Sequence, residues 1–287
     1  MADTVVMDLP DGRELAWVEA GHKRGPAVLA LHGTPGSRLE MVFDHKAIDA
    51  SGARVIAPDR PGYGHSTYHK GRTLRGFADD MARLADHLKL ERFAVLGVSG
   101  GGPHALACAY FLKDRVTMAG VVGGVGPMGG TDAMPMDGPN RLTSRLAARS
   151  QYAVFPMMAL LTLVSRHRPD TAMRAAARTF APADAALLER PEVRAVFADG
   201  GRRASPTTAM AAAQDFALFT RDWGFRLEDI DLPVHLWHGD DDRNVPVAHG
   251  RLQAARIPGS QLHEHPGEGH LLTIDHIEPI LRTLTAP

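Results

Sequence analysis

The stretch Val95-Leu96-Gly97-Val98-Ser99-Gly100-Gly101-Gly102-Pro103 constrains this chain more than any other. The apolar run 93–98, followed at once by the small-residue segment 104–111, predicts a buried strand entering a helix through a very short turn. Ser99 lies at that turn with Gly97 and Gly101 two residues to either side, the spacing G-x-S-x-G. The glycines answer a steric need. A strand that folds straight into a helix holds its turn residue in a strained conformation, and a Cβ two residues away would collide across the turn. The serine hydroxyl is thereby presented at the sheet edge. The first N–H groups of the helix, beginning with that of Gly100, point toward charge developing beside it.

The rest of the chain supplies a sheet for that turn. Residues 4–9 and 13–20 flank Pro10-Asp11-Gly12 and predict a β-hairpin, and 27–31 predicts a buried strand that runs into the loop His32-Gly33-Thr34-Pro35-Gly36. A further strand at 54–57 leads into the loop 59–66. Between 73 and 90, Leu74, Phe77, Met81, Leu84, Ala85 and Leu88 recur at helical spacing and form one apolar face. Strands at 93–98 and 118–122 continue the rhythm, which predicts a mostly parallel sheet covered by helices on both faces, with function at the carboxyl ends of the strands.

From 127 to 226 strand-like runs stop. Helices are expected at 140–155, 170–179, 183–190 and 206–221, with Pro169, Pro182, Pro191 and Pro206 as start signals. Strands at 234–237 and 261–265 and a helix at 272–284 then resume the earlier pattern. The expected organisation is a core of residues 1–126 and 227–287 with a helical cap, 127–226, inserted in it.

Charge narrows the partners. A formal net charge of -1 offers no field for nucleic acid or an anionic membrane surface, so a small-molecule substrate is expected. The single cysteine, Cys108, allows no intrachain disulfide and fits a reducing compartment as a buried small hydrophobe. Residues 1–10 show no signal-peptide pattern, and the longest apolar run, 153–164, holds Pro156 and is too short to span a bilayer. A cytoplasmic protein is expected; oligomeric state is unassigned.

A serine hydroxyl needs a base to take its proton, and imidazole has the right pKa. Among 15 histidines, placement selects His270 in Gly267-Glu268-Gly269-His270, a loop just past the last strand. His263 and His265 within that strand, and His276 in the final helix, are read as structural. The base needs a carboxylate in turn. Asp240, Asp241 and Asp242 follow the penultimate strand and emerge at the same edge, any one a candidate; their spacing fits no Ca²⁺ loop, so neither metal nor cofactor is expected.

With these residues assembled, the sequence resembles the α/β-hydrolase superfamily, specifically its capped esterase, aminopeptidase and epoxide-hydrolase-like branch. The resemblance is carried by HGTPG at 32–36, DRPGYGHS at 59–66, GVSGG at 97–101, HGDDDRNVP at 238–246 and GEGH at 267–270, in the order nucleophile, acid, base. It implies an α/β-hydrolase fold, the acid at Asp242, and an oxyanion hole from the backbone N–H groups of Gly100 and Thr34, since Pro35 has none. It also implies that His32, Asp59, Arg60 and Ser66 are loop scaffolding.

The resemblance further implies hydrolysis of a small, apolar carboxylic ester through an acyl-enzyme. Amide or iminopeptidase hydrolysis, carbon–carbon bond hydrolysis and perhydrolysis are alternatives with the same triad, and a ligand-binding protein of little turnover is a rival of another class. A serine at the elbow argues against epoxide hydrolysis and dehalogenation, which use aspartate there. Thr34 and Gly100 depart from the proline iminopeptidase pattern. In the cap, Phe155, Met158 and Leu161 are candidates for the substrate pocket, against simple packing of the cap on itself. Arg141, Arg145 and Arg149 recur four apart and are expected to form a solvated face.

Overall fold

The structure, a computed structural model, describes residues 3–129, 133–134, 136 and 140–286. Pro10 and Gly12, the latter at φ +82°, turn β1 (Val5–Asp8) into β2 (Glu14–Gly21), and Val5 pairs with Trp17 in the antiparallel hairpin. Strand β2 also pairs antiparallel with β4 (Arg54–Pro58). Beyond that edge every pairing is parallel, through β3 (Ala27–Leu31), β5 (Phe93–Val98), β6 (Val116–Val122), β7 (Val234–Gly239) and β8 (Gln261–His265). The order across the 8-stranded sheet is β1-β2-β4-β3-β5-β6-β7-β8.

All residues of β3 are buried, as a strand covered on both faces requires. On one face the core joins Leu29, Val95 and Leu236 to α2 (Leu74–His87) and α3 (Gly102–Phe111). Leu74, Phe77, Met81, Leu84 and Ala85 of α2 are buried, the stripe that their spacing predicts. On the other face, Val28, Val55 and Leu96 meet α1 (His45–Ser51) and α11 (Thr273–Leu284). Cys108 is fully buried in α3, and burial pushes its thiol well above the ordinary range.

Between β6 and β7 the described residues form α4 (Arg141–Arg149), α5 (Gln151–His167), α6 (Pro169–Ala177), α7 (Pro182–Leu188), α8 (Pro191–Arg203) and α9 (Pro206–Phe219). The four prolines expected as start signals each open a helix. The helix expected over 140–155 is two. Ser150, extended at φ −170°, separates them and its hydroxyl caps α5 by accepting the Tyr152 N–H. Helix α5 continues through Pro156, α8 opens at the expected Pro191 although no range was given for it, and α10 (Ala248–Arg256) was not anticipated. Arg141, Arg145 and Arg149 are all exposed. Among the described residues, no helix is long and apolar enough to cross a membrane.

One buried ionic cluster fastens this helical insertion to the sheet. Asp215 of α9 is fully buried and pairs with Arg72, lies 2.9 Å from Arg60 Nη2 and accepts the Tyr63 hydroxyl at 2.7 Å. Burial alone would raise its pKa, but the Arg60 and Arg72 charges win and hold it well below the usual carboxylate range. Replacing Asp215 by Ala leaves two guanidinium groups buried with no countercharge. The expected destabilisation is about 3–5 kcal/mol, to be measured by urea unfolding; a loss under about 1 kcal/mol would show that water or repacking compensates them.

Candidate active site

Ser99 leaves β5 at φ +54°, a conformation that L side chains rarely adopt, and a single 3-10 turn carries the chain into α3. A Cβ on Gly97 would lie 2.8 Å from the Ala105 Cβ and closer still to the Gly101 carbonyl. A Cβ on Gly101 would run into the Leu31 carbonyl and lie 2.9 Å from that of His32. Both glycines are therefore required by contacts that the turn itself creates.

His270 reaches this serine from the loop after β8, with Nε2 2.9 Å from Ser99 Oγ. Its Nδ1 is 2.7 Å from Asp242 Oδ2. A carboxylate can only accept, so Nδ1–H donates to Asp242 and Nε2 is left to accept the serine proton. The three aspartates after β7 have separated. Asp242 is buried, and its Oδ1 accepts the N–H groups of Asn244 and Val245 at 2.9 Å each. Asp240 accepts the Gly267 N–H at 2.7 Å, and Asp241 pairs with Arg243 at 3.1 Å.

Burial works against charge on both members of the His–Asp pair. It would raise Asp242, but the His270 charge and hydrogen bonds from His238 and His270 leave the carboxyl well below its ordinary range. Burial would lower His270, but the charge and hydrogen bond of Asp242, with the charge of Asp184, leave it above the ordinary imidazole value. Gly123, at φ +54° after β6, lets the pair lie against the backbone; a Cβ there would sit 3.2 Å from His270 Nδ1 and 3.3 Å from Asp242 Oδ2.

Thr34 faces the other side of the turn. A Cβ on Gly100 would strike the Thr34 hydroxyl and lie 2.7 Å from its Cβ, so Gly100 and Thr34 form two close walls beside Ser99. Arg60 fixes that loop: its guanidinium donates to the carbonyls of His32 at 2.6 Å and Gly33 at 2.9 Å and to Thr34 Oγ1 at 2.6 Å. His32 is fully buried, and burial, with the nearby Arg60 charge, drives its pKa well down, so it is neutral; Nδ1 meets the Gly33 carbonyl and Nε2 accepts the Arg60 N–H. Asp59 is buried against Arg38, and the Ser66 hydroxyl donates to the Asp59 carbonyl at 2.8 Å.

Two carboxylates of the insertion had no signal in the sequence. Asp184 of α7 is buried and accepts the main-chain N–H groups of His270 at 2.9 Å and Leu271 at 2.8 Å. Asp215 accepts the Thr34 hydroxyl at 3.0 Å. The insertion thus holds the loop on each side of Ser99.

Ser99 and His270 open into a cavity of about 420 Å³. Its walls include Leu161, Met173, Phe180, Val193, Val196 and Phe197 from the insertion, a mostly apolar set. Glu40 also lines it, and burial pushes its carboxyl up to about 8, which keeps it uncharged at neutral pH. Of the three expected pocket residues, Leu161 lies in the wall. Met158 and Phe155 are not among its walls and instead pack in the cluster of Tyr63, Ala209 and Phe216.

The chain is similar to known proteins over nearly its whole length. The chain is 26% identical over 292 residues to a bifunctional esterase/perhydrolase of Acinetobacter calcoaceticus, covering 96% of each. It is 33% identical over 273 residues to the magnesium-chelatase 30 kDa subunit of Rhodobacter capsulatus, covering 89% of this chain and 84% of that one. Among solved structures, a thermophilic esterase from Thermogutta terrifontis superposes with a TM-score of 0.71 at 25% identity, covering 99% of this chain and 97% of the other. The profile of the alpha/beta hydrolase fold matches residues 26–277, and the chain belongs to that family.

Proposed function

We propose that the protein is a Ser-His-Asp hydrolase that cleaves a small, apolar carboxylic ester through an acyl-enzyme. The observation that carries this reading is the unbroken hydrogen-bonded series Ser99–His270–Asp242 at the floor of a mostly apolar cavity. His270 removes the Ser99 proton as Oγ attacks the ester carbonyl, and Asp242 stabilises the imidazolium that forms. The N–H groups of Gly100 and Thr34 hold the oxyanion, and His270 then protonates the departing alcohol. Water, activated by the same imidazole, releases the acid and restores Ser99. The insertion, 127–226, serves as a cap that selects the substrate.

The test joins two measurements. A fluorophosphonate probe labels Ser99 in the folded chain, and a short-chain p-nitrophenyl ester turns over steadily. Folded protein that does neither is a binding protein instead. The esterase/perhydrolase relative favours a second outcome at the same acyl-enzyme: hydrogen peroxide in place of water yields a peroxyacid, detectable when peroxide is added to the ester assay.

The base must be neutral to act, so kcat/KM falls as pH drops through the His270 pKa. Because that pKa is raised, the midpoint lies above the ordinary 6.5. Asp184→Asn removes one of the charges that raise it and moves the midpoint toward lower pH. A pH–rate profile with an unmoved midpoint would show that Asp184 serves the fold alone.

A further inference from the structure

We propose that His265, Glu268 and His276 form a site for a divalent transition-metal ion of the zinc class, bridging the end of β8, the loop that bears His270, and α11. Each residue offers one ligand atom, and these atoms all lie within 4.8 Å of one another. His276 Nε2 is 2.9 Å from both Glu268 carboxylate oxygens, and His265 Nδ1 is 3.6 Å from Glu268 Oε2. Ligand atoms around a tetrahedral zinc ion stand about 3.3 Å apart. Two of these separations already straddle that spacing, all three side chains are half-buried, and the His265 and His276 rings meet edge-on with centroids 4.5 Å apart.

The donor set selects the ion. Two imidazoles with one carboxylate suit zinc, nickel, copper or cobalt, whereas calcium and magnesium call for oxygen ligands. Three protein ligands leave a fourth position for water. No linear pattern announces the cluster, because its members sit three and eight residues apart on a strand end, a loop and a helix.

The position gives the ion a structural role. The Glu268 carbonyl accepts the Asp241 N–H at 3.0 Å, and the Glu268 N–H donates to the His265 carbonyl at 3.3 Å. A metal held at Glu268 therefore braces the junction of the loop before His270 with the loop that carries Asp242. It lies outside the triad and takes no part in acyl transfer.

The experiment is a titration of the chelator-treated full chain with Zn²⁺, followed by calorimetry and thermal unfolding. One equivalent binds, and at a hundredfold excess over Kd the midpoint of unfolding rises by about 5 °C. His265→Ala and His276→Ala each weaken binding by about tenfold or more. The control His263→Ala, at a neighbouring histidine outside the cluster, leaves binding unchanged. No saturable binding, or binding equally tight in both cluster variants, overturns the proposal. Proton NMR of the parent chain with Co²⁺ keeps the test open if a variant fails to fold: paramagnetic shifts fall on the His265 and His276 imidazoles, and shifts confined to other histidines overturn it.

Discussion

Ser99→Ala lowers ester turnover by about four to six orders of magnitude while leaving the fold intact. On the proposed mechanism the variant loses the atom that forms the acyl-enzyme; what remains is substrate binding and the oxyanion donors, which in triad enzymes still give about 10³–10⁴ over water. The fold survives because Oγ meets His270 at the cavity floor and supports no packing, and alanine keeps the Cβ already accommodated at φ +54°. The measurement is single-turnover kinetics beside a thermal melt of the same preparation. Undiminished turnover in an uncontaminated, well-folded variant would remove Ser99 from the reaction.

Asp242→Asn costs about 10⁴ in kcat, whereas Asp240→Asn and Asp241→Asn stay within about threefold, as surface changes do. An amide at 242 can still accept the N–H groups of Asn244 and Val245 through its oxygen, so the loop keeps its shape. Its NH₂ then faces His270 Nδ1 and donates where the carboxylate accepted. The imidazole must carry its proton on Nε2, the atom that has to receive the one from Ser99. Asp240 and Asp241 make their contacts with Gly267 and Arg243, away from the imidazole. A kinetic ranking in which Asp240→Asn or Asp241→Asn is the most damaged would move the acid to that residue.

What the sequence exposes here is chemistry written locally. The strand-turn-helix around Ser99 is dictated by glycines within four residues of one another, and the sheet by apolar runs bounded with Gly and Pro. The prolines of the insertion open their helices because a ring that fixes φ and lacks an N–H fits the first turn. Hidden features depend on partners far along the chain. Asp184 sits 86 residues before His270, and Asp215 lies 181 residues after Thr34, so no spacing rule links them. The face that Met158 and Phe155 present was equally unreadable, because an apolar helix without a polar stripe does not declare which side meets neighbouring helices and which meets a cavity.

The contacts of Asp184 and Asp215 bear on how such proteins diverge. Exchanging the whole segment between β6 and β7 for that of a relative would alter more than the walls of the cavity. It would withdraw the acceptor for the backbone amides of His270 and Leu271 and leave the Arg60 and Arg72 guanidiniums buried without their countercharge, so a chimera lacking equivalents of both aspartates would be strongly destabilised. Recombination that replaces only α5 and α8 leaves those two anchor points in place.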